Sequence, residues 1–140
     1  MSISQDIDTL HARFAAQWAA LRPTVAVIYD NAPATAVAPV GTYVRFTVRP
    51  GASQRQSFGT ASIRHKQLGR VYVQIMTPKA TGTGLATAIA DDAANIFRLW
   101  KSSDGFLLCF EPEMSTIPAN DTNDYHVVTI SVPYEADRTY

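Results

Sequence analysis

The chain has 140 residues, 46% hydrophobic and 17% charged, which is enough apolar material for one core in a single domain spanning residues 1–140. Cys109 is the sole cysteine, so an intrachain disulfide is excluded and a cysteine-based zinc site is disfavoured, and no apolar run approaches the roughly 18 residues of a membrane span. The net charge of zero hides an uneven distribution: seven basic and no acidic residues lie between Asn31 and Ala90, then nine acids against three bases from Asp91 to Tyr140. Such a chain can pair its halves internally or present unlike edges to neighbouring copies of itself. The opening "MSISQDID" is acidic and carries no targeting signal, so a soluble protein made in a cytoplasm is expected.

Ile3, Ile7, Leu10, Phe14, Trp18 and Leu21 recur at steps of three and four, which predicts an amphipathic helix over 3–21. Ser2 or Ser4 would cap it, Pro23 follows its end, and His11 beside the stripe reads as a packing residue. "TVAVIYD" (24–30) reads as a short strand and 31–42, with two prolines and a glycine, as an extended loop. "YVRFTVRPG" alternates as a half-buried strand up to a break at Pro50–Gly51, and "VYVQIM" (71–76) is a second strand of the same kind. The polar, basic stretch between them predicts a long β-hairpin whose distal half reaches past the core, with a solvated loop as the alternative.

A second helix is expected from about Gly84 to Lys101, with Leu85, Ile89, Ala93, Ile96, Phe97 and Trp100 on one face. Strands over 106–110 and 125–134 complete the chain around a loop at 111–124. The resulting order predicts an α/β (α+β) fold, a single mostly antiparallel sheet with two helices packed on one face and a long projecting β-hairpin.

Gly82 and Gly84 sit between a strand and a helix, the layout of a phosphate-cradling loop. The dinucleotide fingerprint needs a third glycine where Thr87 stands, and no Gly-Lys-Ser/Thr supplies a P-loop, so a turn capped by Thr81 or Thr83 is the simpler reading and a small nucleotide-binding module the alternative. Catalytic signatures are equally missing, and no enzyme activity is expected. Glu111 and Glu113 flank Pro112 in what reads as a solvated acidic turn, although paired carboxylates at that spacing also occur in glycosidases. "NDTNDYH" (120–126) gathers Asp121, Asp124 and His126 but lacks the glycine and closing glutamate of a calcium loop, so neither metal nor cofactor is expected. Nucleic acid is disfavoured as a partner, because Phe58 is the lone aromatic between Phe46 and Tyr72 in the basic stretch.

Several stretches resemble the tail terminator family of long-tailed bacteriophages and related prophage or gene-transfer particles. They are the opening helix with "ALRPTVAVIYDNAP", "YVRFTVRPG", the basic hairpin into "GRVYVQIMTPKATGTGLATAIADDAANIFR", and the closing "YHVVTISVPYEAD". The resemblance implies a virion structural protein, assembled in the host cytoplasm and located in the tail. It implies a ring, typically of six copies, on the head-proximal end of the tail tube, where it stops tube polymerisation and offers a surface for head–tail joining. The implied partners are other copies of the chain, the major tail tube protein and a head-completion or connector protein, with DNA passing through the ring unbound and no membrane involved. Another neck or tail-completion adaptor of similar fold is the alternative. From charge and expected exposure, Arg49, Arg55, Arg64, His65, Lys66 and Arg70 are placed at subunit or tail-tube contacts, with Asp91, Asp92, Glu111 and Glu113 as candidate opposites.

Overall fold

The computed structural model describes residues 3–29, 41–55, 63–79, 84–117 and 125–139. The amphipathic stripe forms α1 (Ile3–Leu21), with Leu10, Phe14 and Trp18 buried. Strand β1 (Ala26–Tyr29) follows, tied back to the helix by Trp18 Nε1, which donates to the Val25 carbonyl at 3.2 Å. Next come β2 (Tyr43–Arg55), β3 (Arg64–Pro78), α2 (Gly84–Phe97), β4 (Leu107–Cys109), β5 (Glu113–Ile117) and β6 (Tyr125–Thr139). The strands make one sheet ordered β1-β2-β3-β6-β4, with β5 also paired to β6. β1 runs parallel to β2 and every other pairing is antiparallel.

The period-two pattern decides which face the helices cover. Registers align Val44 with Ile75 and Val128, Phe46 with Val73 and Ile130, and Val48 with Val71 and Val132. These side chains form the core with Phe14 of α1 and with Ile89, Ala93 and Phe97 of α2. At its centre Phe14 stacks on Phe46 with ring centroids 4.4 Å apart, and Phe97 lies 6.1 Å from Phe46. His11 packs edge-on against Phe46 at 4.8 Å, the packing role expected for it.

Three elements differ from the sequence reading. Pro50–Gly51 does not end β2: the strand bulges between Pro50 and Ser53 and continues to Arg55. Buried Gln67 bridges the bulge, its side-chain nitrogen donating to the carbonyls of Gly51 at 2.7 Å and Leu68 at 2.8 Å. Because β6 also runs on to Thr139, the projecting arm has three strands rather than the two of a hairpin. The expected loop at 111–124 contains β5, so Glu113 lies in a strand and not in an acidic turn. Helix α2 stops at Phe97 because Leu99 takes a left-handed φ of 50°, with Trp100 N–H donating to the Phe97 carbonyl at 3.1 Å. The proposed caps Ser2, Thr81 and Thr83 lie outside the described residues, whereas Ser4 falls inside α1.

The two helices are fastened by polar contacts at both ends of their interface. Arg13 of α1 donates to the Ile96 carbonyl near the C-terminus of α2 at 3.2 and 3.1 Å and lies over the Trp100 ring. A cation there satisfies an orphan carbonyl and complements the helix dipole. Arg22, just past α1, bonds Asp92 at 2.6 Å. Both side chains are about one-third exposed, so solvent screening limits the pair to about 0.5–1 kcal/mol. Arg22→Ala should therefore lower stability by about that amount in low salt, with the difference shrinking at 1 M salt in thermal melts.

Candidate assembly surface

The face of the sheet away from the helices carries the charge. Alternation places Arg45 and Arg49 of β2, Arg64, Lys66 and Arg70 of β3, Glu135 and Asp137 of β6 and Glu113 of β5 on this side. Here the basic middle and acidic end of the sequence meet within one chain. Arg64 pairs with Asp137 at 3.1 Å, Lys66 with Glu135 at 3.5 Å and Arg70 with Glu113 at 3.4 Å. Arg70 also donates to the Ser131 hydroxyl at 2.9 Å. Of the two options left open by the charge pattern, internal pairing accounts for these residues. Each pair is partly solvated and worth little alone; the first two tie β6 to β3, and the third reaches from β3 across β6 to β5.

Arg49 sits opposite Arg70 in the β2–β3 register. Beyond the bulge, Arg55 aligns with His65, and His65 with Arg138, so three strands bring three basic residues into one row near the arm's end. Beside Arg49 and Arg70 lies a concavity of about 570 Å³ lined also by Leu68, Tyr72, Phe110 and Pro133. Its composition, apolar with arginines and Glu135 at the rim, suits a protein surface better than a small polar ligand.

The remaining candidates are scattered. Asp91 is exposed on α2, one residue from the Asp92 that holds Arg22. Glu111 pairs with Arg98 of the helix layer at 3.1 Å, whereas Glu113 pairs with Arg70 on the opposite face. Two carboxylates held apart by separate arginines do not form the cooperating pair of a glycosidase. Gly84 opens α2, while Gly82, Asp121 and Asp124 lie outside the described residues. Among the described residues no cluster of three His, Cys, Asp or Glu side chains forms, and no helix is long and apolar enough to cross a membrane.

Cys109 and Tyr134 face each other across β4 and β6. Burial pushes the Cys109 thiol up to about 12, partly offset by the Arg13 charge, and burial with the neighbouring Cys109 pushes the Tyr134 hydroxyl up to about 12. Both groups are neutral in the fold, with pKa values above their ordinary 9.0 and 10.0. Their contribution to stability is therefore complete below pH 9 and lost as pH rises toward 12. Denaturant titrations between pH 8 and 11 should show this decline, and native Cys109 should resist iodoacetamide at pH 8 while the unfolded chain reacts.

Sequence reasoning missed the sheet's exposed edge. β5 is exposed along its whole length, and its Met114 and Ile117 are 51% and 54% exposed. "EMSTI" is short and lies between Pro112 and Pro118, a setting that resembles a loop; its β-prone Thr116 and Ile117 are the available signal.

A solved structure carrying no functional description superposes with a TM-score of 0.68 at 22% sequence identity, covering 97% of this chain and 96% of its own, which establishes the fold alone. Comparison with curated proteins finds no match. The model of the phage tail terminator protein family matches residues 7–134, from the first turns of α1 into β6 and so across the whole sheet and both helices. The chain therefore belongs to the phage tail terminator protein family and has a structural role in the phage tail.

Proposed function

We propose that copies of this chain close into a ring, six as the family resemblance implies, on the head-proximal end of the tail tube. The ring stops tube polymerisation and offers its outward surface to the head-completion protein, while DNA passes through it without specific binding. Assembly takes place in the host cytoplasm. The family match over residues 7–134 carries this reading. The subunit's shape supports it, since a head-to-tail ring needs two different surfaces on one chain and this chain has a charged arm on one side of its helices and sheet core.

In this reading the arm reaches a neighbouring subunit or the tube. The basic row aligned on Arg55 and His65 makes the contact and Arg49, Arg64, Lys66 and Arg70 flank it; Asp91 on α2 supplies an acidic opposite, and Asp92, Glu111 and Glu113 join it by exchanging Arg22, Arg98 and Arg70 of their own chain for bases of the neighbour. Arg64 and Lys66 also brace the arm through Asp137 and Glu135. A basic channel lining is disfavoured, because phosphates held by counterion release would retard a sliding duplex.

The triple variant Arg55→Glu, Arg64→Glu, Lys66→Glu, supplied in place of the wild-type chain during phage growth, should yield tails of uncontrolled length by electron microscopy. The reversal also breaks the pairs with Asp137 and Glu135, so the control is Glu135→Ala/Asp137→Ala, which removes the same two pairs but keeps the basic residues and should leave tail length normal. Normal tail length with a folded variant would remove the arm from the interface.

A further inference from the structure

We infer that neighbouring copies join edge to edge, β5 of one copy adding as an antiparallel strand to the outer edge of β1 in the next, with Met114 entering an apolar groove beside α1. The inference rests on the ring reading above and names the contact that closes it.

The sheet ends on two unlike strands. Among the described residues, β1 pairs with β2 alone and β5 with β6 alone, so each leaves an outer row of backbone donors and acceptors without a strand partner. Strand directions are compatible. β1 and β2 run one way, β3 the other, β6 again with β1, and β5 against it. When a second copy is placed with its helices on the same side, β5 of the first meets β1 of the second in antiparallel orientation, the pairing that needs no slanted hydrogen bonds. Repetition of that step is heterologous, which gives a ring when the rotation between successive copies closes.

Side chains match on both faces. Met114 and Thr116 share the helix side with buried Ile130 and Val128, yet Met114 is 51% exposed because the helix layer does not extend over β5. At the sheet's other end α1 overhangs β1. Two adjoining hollows of about 370 and 260 Å³ there are lined by Ala12, Ala15 and Ala19 of the helix and by Val25, Val27 and Tyr29. One end thus projects an apolar side chain beyond its cover and the other has apolar cover beyond its last strand. The register that keeps the faces aligned and spans all of β1 sets Met114 to Ile117 against Tyr29 to Ala26. On the opposite face it brings the 54% exposed Ile117 diagonal to half-buried Ile28.

Within its five residues β5 contains no proline, so each keeps its backbone donor, and Glu113 at its start is its one charged residue. A second copy is favoured over a strand from another tail protein because this one chain carries both complementary edges.

The test is the double variant Ile28→Cys/Ser115→Cys treated with a short bifunctional maleimide, alongside native mass spectrometry of the same sample. Within one chain the two positions are four strand spacings apart, about 19 Å, beyond the linker's reach, and buried Cys109 stays unreacted. The expected result is a ladder of covalent multimers ending at the ring's copy number, absent from each single variant. A ring by mass without a ladder would overturn the edge contact while leaving the ring intact. A single-chain mass at every concentration, with tail tubes present as well as absent, would overturn both. In assembled tails, cross-linking of Ser115→Cys to a different protein would also overturn the inference.

Discussion

Gly69→Ala is expected to destabilise the fold by about 3 kcal/mol, at the upper end of the ordinary overpacking range. Gly69 lies opposite Tyr134 in the β3–β6 register, and the tyrosine ring rests on its backbone. A methyl group there would come within 2.5 Å of Tyr134 Cζ and Oη and 2.6 Å of Cε1. The ring cannot swing aside, because Tyr134 is among the largest fully buried side chains and packs against Cys109 and the core. Tyr134→Phe keeps the colliding ring carbons and should not rescue. In a Tyr134→Ala background the added cost of Gly69→Ala should nearly vanish, an interaction energy that urea melts of the four proteins would read directly.

Phe46→Ala should cost about 3–5 kcal/mol, a large part of the roughly 5–15 kcal/mol that holds a domain of this size. Phe46 is fully buried on β2 at the point where sheet, α1 and α2 meet. It stacks on Phe14, lies near Phe97 and meets Tyr29 and His11 edge-on. Removing it leaves a cavity that two helices and a sheet cannot close together, whereas Phe46→Leu should cost about half as much. Equilibrium unfolding would show a lower midpoint at unchanged slope.

Periodicity made the core legible before the structure. The Leu10, Phe14, Trp18 stripe and the Val44, Phe46, Val48 alternation each point to one buried face, because a single apolar layer leaves no other arrangement. What periodicity could not show is where strands stop. The arm of β2, β3 and β6 is held by cross-strand ion pairs and the Gln67 bridge, and a polar strand of that kind looks like a loop in sequence. β5 escaped for a related reason: an edge strand exposed on both faces has no hydrophobic alternation to display.

The asymmetry of charge is plain in the sequence, but its consequence depends on the fold. Arg64 and Lys66 find acidic partners only because β6 returns along β3, and Arg70 because β5 then pairs on the far side of β6. Sequence separation gives no hint of that register. Charge and expected exposure point only to ionised residues, so the uncharged pair Met114 and Ile117 lies outside that set.

Native mass spectrometry of the purified chain over a concentration series, alone and with isolated tail tubes, tests the ring most directly. A discrete closed species at six times the 15.3 kDa chain mass, with no larger series above it, is the result expected. A mass of one chain under every condition, tubes included, would contradict the account, as would an open-ended series of multimers.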